Sequence, residues 1–545
     1  MPRRCRNALR VLVAVLGLML AGASVRAEIA LSPRDAAIVR LNVLDLLAKE
    51  PRLPLPIKQR RKVLDAYYHT FNGPLLWLGS KRASALVARL LNADKEGLDP
   101  KDYPGKALAE VNEESPTLDK RKLAIAELYF SAAFLQYTSD LRVGRFLPNR
   151  VDPDFFLKRR TIDQLAALKG VAKTTSLDAF FAAWQPRHPL YRALRRALAH
   201  YRALAAKGGW ASVPLGPSLH PGSPDPRVPA IRARLAVTDG AGAATGDPTV
   251  YDAGLVKAVK RFQQRHGLAV DGVVGNATAV AMNVPVADRI NSLIATMERV
   301  RWIPEDLGKK FIIVNIAAFE LRRFENGVEK ERMRVVVGKP YHRTPVFSDR
   351  IRYVEFNPYW NVPPSIAVKE ELPKLRSNPG AVASKGFEVV QGDRVFSLLT
   401  IDWNQYGPGH FPFQLRQKPG ANNALGRVKL IFPNPHNVYL HDSPARSLFG
   451  RAKRAFSHGC IRLARPLELA REVLTASGVA GWTPARVDSV IASAKTRIVN
   501  LREPMPVHIT YLTAWVDNGV VNFRNDVYGH DRKLLAALDG KGIAW

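Results

Sequence analysis

Hydrophobic residues change their period near Phe311, and that change constrains the fold more than anything else in the chain. From about Glu28 to Pro214 apolar residues recur every three or four positions. Ala36–Leu47, Lys81–Leu91, Leu118–Thr138 and Leu190–Ala206 each present one apolar stripe, the mark of helices buried on one face. From Phe311 the period is two. Phe311–Phe324 alternates, Glu325-Asn326-Gly327 supplies a turn and Met333–Val337 returns, which reads as a hairpin. More β signal lies in Tyr353–Trp360, Lys429–Phe432 and Asn437–Leu440, and a last hairpin joins Val507–Val516 to Val520–Phe523 across Asp517-Asn518-Gly519. Helices are expected at Pro466–Ala476 and Pro484–Ala494. A chain of 545 residues, helical first and β later, is a multidomain α+β protein, because single cores stop growing well below that size.

Two stretches interrupt the pattern. Pro217–Pro226 (PSLHPGSPDP) is a Pro/Gly/Ser linker, and it leads into a short unit ending near Pro285. In that unit Leu255, Val259 and Phe262 line one helix face, Gly267 stops the helix and Asp271-Gly272 makes a turn. Pro373–Pro433 is rich in Gly, Pro, Asn and Gln and reads as an insertion, a candidate flap over a site.

The first 27 residues read as a cleaved export signal, with an uncleaved N-terminal anchor as the alternative. Arg3, Arg4, Arg6 and Arg10 precede the apolar run Val11–Ala21, which is too short to span a bilayer. Val25 and Ala27 then offer small residues for cleavage before Glu28. Export changes how the charge is read. The whole chain has 81 Lys+Arg against 48 Asp+Glu, a net +33. Without the leader's five arginines 76 basic residues remain, a net +28 that suits a polyanionic partner. Of two cysteines, Cys5 leaves with the leader and Cys460 stays, which excludes a disulfide framework.

The chemistry concentrates between His436 and Leu463, HNVYLHDSPARSLFGRAKRAFSHGCIRL. An imidazole beside a thiol can take its proton and leave a nucleophilic sulfur in an ion pair. His458 precedes Cys460 by two residues, and His441 lies 19 residues upstream, far enough to sit on a neighbouring strand. Backbone amides around Ser457–Cys460 can face a developing oxyanion. Either Asp442 or Ser443 is placed to orient the His441 ring, with a surface turn at Pro444 as the alternative. A zinc site from His436, His441, His458 and Cys460 lacks paired ligand spacing, and a thiol oxidoreductase would need Cys-x-x-Cys.

Ser457-His458-Gly459-Cys460, with Tyr439-Leu440-His441-Asp442 before it and Ile461-Arg462-Leu463 after it, resembles the signature of the L,D-transpeptidase catalytic domain (YkuD type). VVVGKPYHRTPVFS (Val335–Ser348) and FNPYWNVPPSI (Phe356–Ile366) resemble that family too, and Ala258–Asn283 resembles the three-helix peptidoglycan-binding domain of cell-wall enzymes. The domain order is similar to that of the large Gram-negative periplasmic members. It implies a signal peptide over 1–27, a helical scaffold over 28–215 and a peptidoglycan-binding-like domain over 217–286. A mainly-β catalytic domain would follow over 300–525, capped by the insertion at about 373–433, and then a tail over 526–545. The resemblance makes Cys460 the nucleophile and His441 its base. It places His458, Gly459 and Ser457 at the oxyanion site, gives Arg462 the loop or a substrate carboxylate, lines the pocket with Tyr439, and offers Trp360, Tyr359 and Asn357 as further substrate contacts, with sheet core and turn as the alternative for these three. Many smaller members have Asn where this chain has Arg462. The implied reaction is acyl transfer from a peptidoglycan tetrapeptide stem to a neighbouring stem amine, a 3→3 cross-link, open to carbapenems. Water as acceptor would make an L,D-carboxypeptidase, and a non-catalytic wall-binding scaffold is the other alternative. No cofactor and no metal are implied. The expected partners are peptidoglycan and other cell-wall enzymes, with no nucleic acid and no lasting membrane insertion.

Overall fold

The helical half is organised around one long central helix. In this computed structural model, which describes residues 31–540 apart from 79, 115–116, 159 and 393, α1 is Pro33–Lys49, α2 Arg82–Leu91, α3 Lys120–Val143 and α4 Pro189–Ala206. The expected leader lies outside the described residues. Side chains start these helices where the sequence offers a cap: Ser32 Oγ accepts from Asp35 N at 3.1 Å ahead of α1, and Asp119 Oδ1 accepts from the Arg121 and Lys122 amides ahead of α3. α3 buries residues on nearly every side, among them Leu128, Phe130, Phe134 and Tyr137, so it forms the axis on which the other helices pack. Among the described residues, no helix is long and apolar enough to cross a membrane.

The small unit follows with α5 at Ala253–His266, and its face Leu255, Val259 and Phe262 is buried as the spacing predicts. The Pro217–Pro226 stretch is not a free linker. Leu219 pairs with Val274 and Pro224 with Val250, so backbone hydrogen bonds knit it into the unit. Next, α6 (Val286–Trp302) ties the halves together. Its Leu293, Met297 and Val300 share one core with the helices before it and with Leu512, Ala514 and Phe523 after it. Arg301 on α6 is fully buried. It donates to Leu141 O at 3.2 Å, the Tyr191 hydroxyl at 2.9 Å and Glu298 at 3.0 Å, so its charge is compensated within α6 and by the helical half.

The β half has β1 at Lys310–Asn315, β2 Glu320–Glu325, β3 Val328–Gly338, β4 Phe347–Phe356, β5 Trp360–Asn361, β6 Phe387–Gln391, β7 Arg394–Phe396 and β8 Gln414–Gln417. It continues with β9 at Val428–Ile431, β10 Leu440–His441, β11 Ala455–Ser457, β12 Ile461–Leu463, β13 Arg497–Thr510, β14 Ala514–Asp517 and β15 Val520–Phe523. Nine strands pair in the order β11-β3-β12-β10-β9-β4-β13-β1-β2, and β2 also pairs with β3, so the sheet closes on itself. Closure removes the exposed edges an open sheet would leave. Asn326-Gly327 and Asn518-Gly519 both carry positive φ, the geometry of two-residue hairpin turns. The expected single strand Phe311–Phe324 is instead β1 and β2, because the chain turns at Ile316–Phe319.

Two boundaries differ from the sequence reading. The insertion runs from Trp360 to Gln417 as a four-stranded sheet, β5-β8-β6-β7, with helical turns over 364–383 and a core of its own that includes Leu375, Val389, Trp403 and Leu415. β9, placed in the insertion by composition, is a strand of the closed sheet. The expected tail contains a helix, His530–Leu538, whose Leu534 and Ala537 are buried in the barrel's core. Asp531 accepts from Thr513 Oγ1 at 2.7 Å and pairs with Arg299 of α6. The apolar period of one short helix is too brief to read against a polar background.

Candidate active site

Short strands bring the predicted pair together. β10 and β12 run parallel, with Leu440 opposite Ile461 and His441 opposite Arg462, and the Ile461 amide donates to Tyr439 O at 3.1 Å. Because alternate residues of a strand share a face, Tyr439, His441, Cys460 and Arg462 form one patch. Cys460 is half-buried, with Sγ 3.5 Å from Asn437 O. The Tyr439 ring stands edge-on to His441 at 5.5 Å, with Lys429 Nζ 4.5 Å from its centroid.

The electrostatics of this patch differ from the ion pair the sequence suggests. Burial, then the charges of Arg462 and Lys429, pushes His441 down to about 3, although the backbone at Asp442 and Leu425 acts the other way. Burial pushes the Cys460 thiol up, while Tyr439, Lys429 and Arg462 favour its thiolate. At neutral pH the resting pair is therefore a neutral imidazole and a thiol. His441 Nδ1 is buried with no hydrogen-bond partner among the described residues. Arg462 is itself pulled down by burial and held up by Cys460, so its guanidinium is the counter-charge closest in kind to a sulfur anion.

The Ser457–Cys460 turn is tied from several sides. Gly459 has φ +117, a conformation side chains oppose. Ser457 Oγ donates to Cys460 O at 2.5 Å and accepts from the Gly459 amide at 3.2 Å. The Gly459 amide is thus engaged inside the turn. Thr344 Oγ1 donates to Gly459 O at 2.7 Å and accepts from Gly338 N at 2.9 Å. A Cβ on Gly338 would lie 2.0 Å from His342 O, so only glycine lets this loop close. Tyr528 OH donates to Gly338 O at 2.6 Å. Neither Thr344 nor Tyr528 was singled out from sequence, although Thr344 lies within the Val335–Ser348 stretch.

Other predicted residues are placed elsewhere. The His458 ring turns to the insertion, with Nε2 2.5 Å from Glu370 Oε1 and His342 at 4.9 Å. Glu370 lies 88 residues away in sequence, and nothing in the sequence marks it. Asn357 does not face the pocket. It is buried at φ 49 and its Nδ2 donates to Val490 O, Ile491 O and Lys495 O at 2.8, 3.3 and 3.2 Å, closing the end of helix Pro484–Ala492. Trp360 packs on Phe387, and Tyr359 lies under Arg416 at 4.4 Å, so both build the insertion's base. Asp442 does not orient the His441 ring either; its carboxylate binds Arg427 and Arg446 and accepts from Ser443 N. Ser443 Oγ caps the turn by accepting from Ala445 N at 3.3 Å. The His436 ring is stacked between Phe156 and Phe347.

Cys460, immediately before β12, thus lies beside a buried histidine of β10 in a closed sheet, the residue types from which a thiol-based enzyme site is built. Comparison with known proteins agrees with that class. Residues 309–492 match the L,D-transpeptidase catalytic domain, residues 62–198 a "Scaffold domain", and residues 225–282 a domain described as "Putative peptidoglycan binding domain". The chain therefore carries an L,D-transpeptidase catalytic domain of the YkuD family together with a peptidoglycan-binding domain. It is 34% identical over 263 residues to a Haemophilus influenzae protein named "Putative L,D-transpeptidase". That match covers 48% of this chain and 52% of the relative, so the chain spans about half the length of the curated relative it matches. A crystal structure of an L,D-transpeptidase from Xylanimonas cellulosilytica is similar at 15% identity and a TM-score of 0.18, covering 55% of this chain and 99% of that one.

Proposed function

We propose that the protein is a cysteine-dependent L,D-transpeptidase that acts on peptidoglycan stems outside the cytoplasm, in the periplasm. The observation that supports the reading is the register of β10 against β12, which sets His441 and the Cys460 that precedes β12 on one face. His441 takes the Sγ proton as Cys460 attacks the carbonyl carbon of the third stem residue. Lys429 and Arg462 favour charge on the sulfur, and the Cys460 amide faces the oxyanion. The C–N bond to the terminal D-Ala breaks, and the proton on His441 goes to the leaving amine, which leaves a thioester. A neighbouring stem's side-chain amine then loses its proton to His441 and attacks the thioester. The C–S bond breaks, the thiol regains its proton, and the product is a 3→3 cross-link. Water in place of the amine gives the tripeptide. A neutral histidine suits both halves, since it must accept and return a proton each time.

The test uses the full chain and its Cys460→Ala variant with disaccharide-tetrapeptide, products being read by mass. Dimer or tripeptide from wild type and none from the variant is the expected result. No product from wild type, or equal product from both, overturns the reading.

A further inference from the structure

Between the small helical unit and the barrel lies a cleft of about 960 Å³, within the range of ligand sites. Asp239, Arg265 and Leu268 line one wall; Arg334, Arg454 and Trp515 line the other. None of its lining residues belongs to the cysteine patch or to the insertion.

Its charges are out of balance. Arg334, Arg451, Arg454 and Arg524 all line it, and none has a carboxylate partner among the described residues. Arg454, 9% exposed, donates only to backbone carbonyls, those of Val335, Phe319, Arg451 and Ala452. Arg524 donates to Arg265 O at 2.9 Å and Phe523 O at 2.7 Å. Arg334 donates to Phe449 O at 3.2 Å, and Arg451 lies over the Phe456 ring. Burial, with Arg334 alongside, pushes Arg454 down to about 10. Burial also pushes Arg524 down to about 10, opposed in part by Glu320. Guanidiniums desolvated without an anion are an unfinished arrangement.

A second observation points the same way. Trp515, 6% exposed, has Arg524 at 4.6 Å and Arg322 at 6.0 Å from its ring, and its indole Nε1 is buried with no acceptor among the described residues. A buried N–H is seldom left unpaired. A carboxylate oxygen would satisfy it and Arg524 together.

We propose that this cleft is a second binding site, for the carboxylate-bearing peptides of a wall strand, apart from the cysteine patch. The proposal rests on the reading of peptidoglycan as substrate. Three acids, Asp239, Glu320 and Asp517, also line the cleft and are held by Arg265, Arg322 and Arg332. They would repel a uniform phosphate backbone but suit a peptide that carries both carboxylates and a free amine. Arg334 lies on β3 and Arg454 immediately precedes β11, two of the strands that hold the Ser457–Cys460 turn. A wall strand bound here stays attached to the domain that carries the chemistry.

The test is the anisotropy of fluorescent soluble peptidoglycan strands bound to the full-length Cys460→Ala protein, with and without Arg334→Glu and Arg451→Glu. Both side chains are exposed, so charge reversal perturbs the cleft rather than the core. Binding weakens about tenfold with both substitutions and falls steeply with salt in the parent. Trp515→Phe, which keeps a ring and removes the N–H, weakens it several-fold. Equal affinity in parent and double variant overturns the proposal, as does displacement by a single-stranded oligonucleotide at lower concentration than by unlabelled strands. Product formation from monomeric tetrapeptide separates the two claims. Turnover with arginine-independent strand binding overturns the cleft alone, and arginine-dependent binding without turnover overturns the reaction alone.

Discussion

Replacing His441 with glutamine tests the electrostatics of the catalytic patch through folding stability. In the folded protein burial and the neighbouring Arg462 hold this imidazole at about 3, against 6.5 for a free side chain. Below pH 6.5 the unfolded chain takes up a proton there that the folded chain refuses. The contribution is therefore whole above pH 6.5 and is lost as pH falls toward 3. Each pH unit of the gap corresponds to about 1.4 kcal/mol, and at pH 6.5 the unfolded imidazole is already half-protonated, so between pH 6.5 and 4.5 wild type loses about 2 kcal/mol from this one residue. His441→Gln cannot protonate and loses none of it, while every other titrating group acts equally in both proteins. Urea unfolding of the catalytic domain at pH 6.5, 5.5 and 4.5 measures the difference. Wild type is expected to lose about 2 kcal/mol more than the variant over that span. Parallel pH dependences would mean that His441 protonates freely in the fold and would refute the neutral resting pair.

Asn357→Ala leaves the carbonyls of Val490, Ile491 and Lys495 without their donor and is expected to destabilise by about 1–3 kcal/mol. Denaturant midpoints check the loss, and the KM for tetrapeptide should not move. Thr344→Val removes the bonds to Gly459 O and from Gly338 N and should slow carbapenem acylation of Cys460 about tenfold, read by stopped-flow absorbance. Glu370→Gln replaces a charged partner of His458 with a neutral one. Faster amide hydrogen exchange is expected over 364–377 with less than about 1 kcal/mol of stability change, since the pair is part-exposed.

The change of hydrophobic period located the helical and β halves because it extends over long stretches: the buried Leu255, Val259 and Phe262 face and the two Asn-Gly hairpins follow it directly. The cysteine patch was legible for a different reason. β10 and β12 are so short that Tyr439, His441, Cys460 and Arg462 sit close together in sequence as well as in space. What escaped reading depends on contacts between distant residues. Glu370 reaches His458, Tyr528 OH reaches Gly338, and Asn357 closes a helix more than a hundred residues away. Asn357 was misassigned for this reason, since a polar residue beside aromatic ones looks the same whether it faces a ligand or a helix end. The β signal at Lys429–Phe432 is β9, but composition carried the insertion's end past it to Pro433, and it missed the C-terminus, where a nine-residue helix holds a buried Asp531–Arg299 pair.

The central claim is that Cys460 carries the acyl group. Purified full-length protein is mixed with disaccharide-tetrapeptide, quenched in acid during turnover, and its intact mass and proteolytic peptides are measured. The account predicts an adduct equal to the donor less D-Ala, located on Cys460 and absent from Cys460→Ala. Turnover with no adduct on Cys460, or an adduct on another residue, would contradict it.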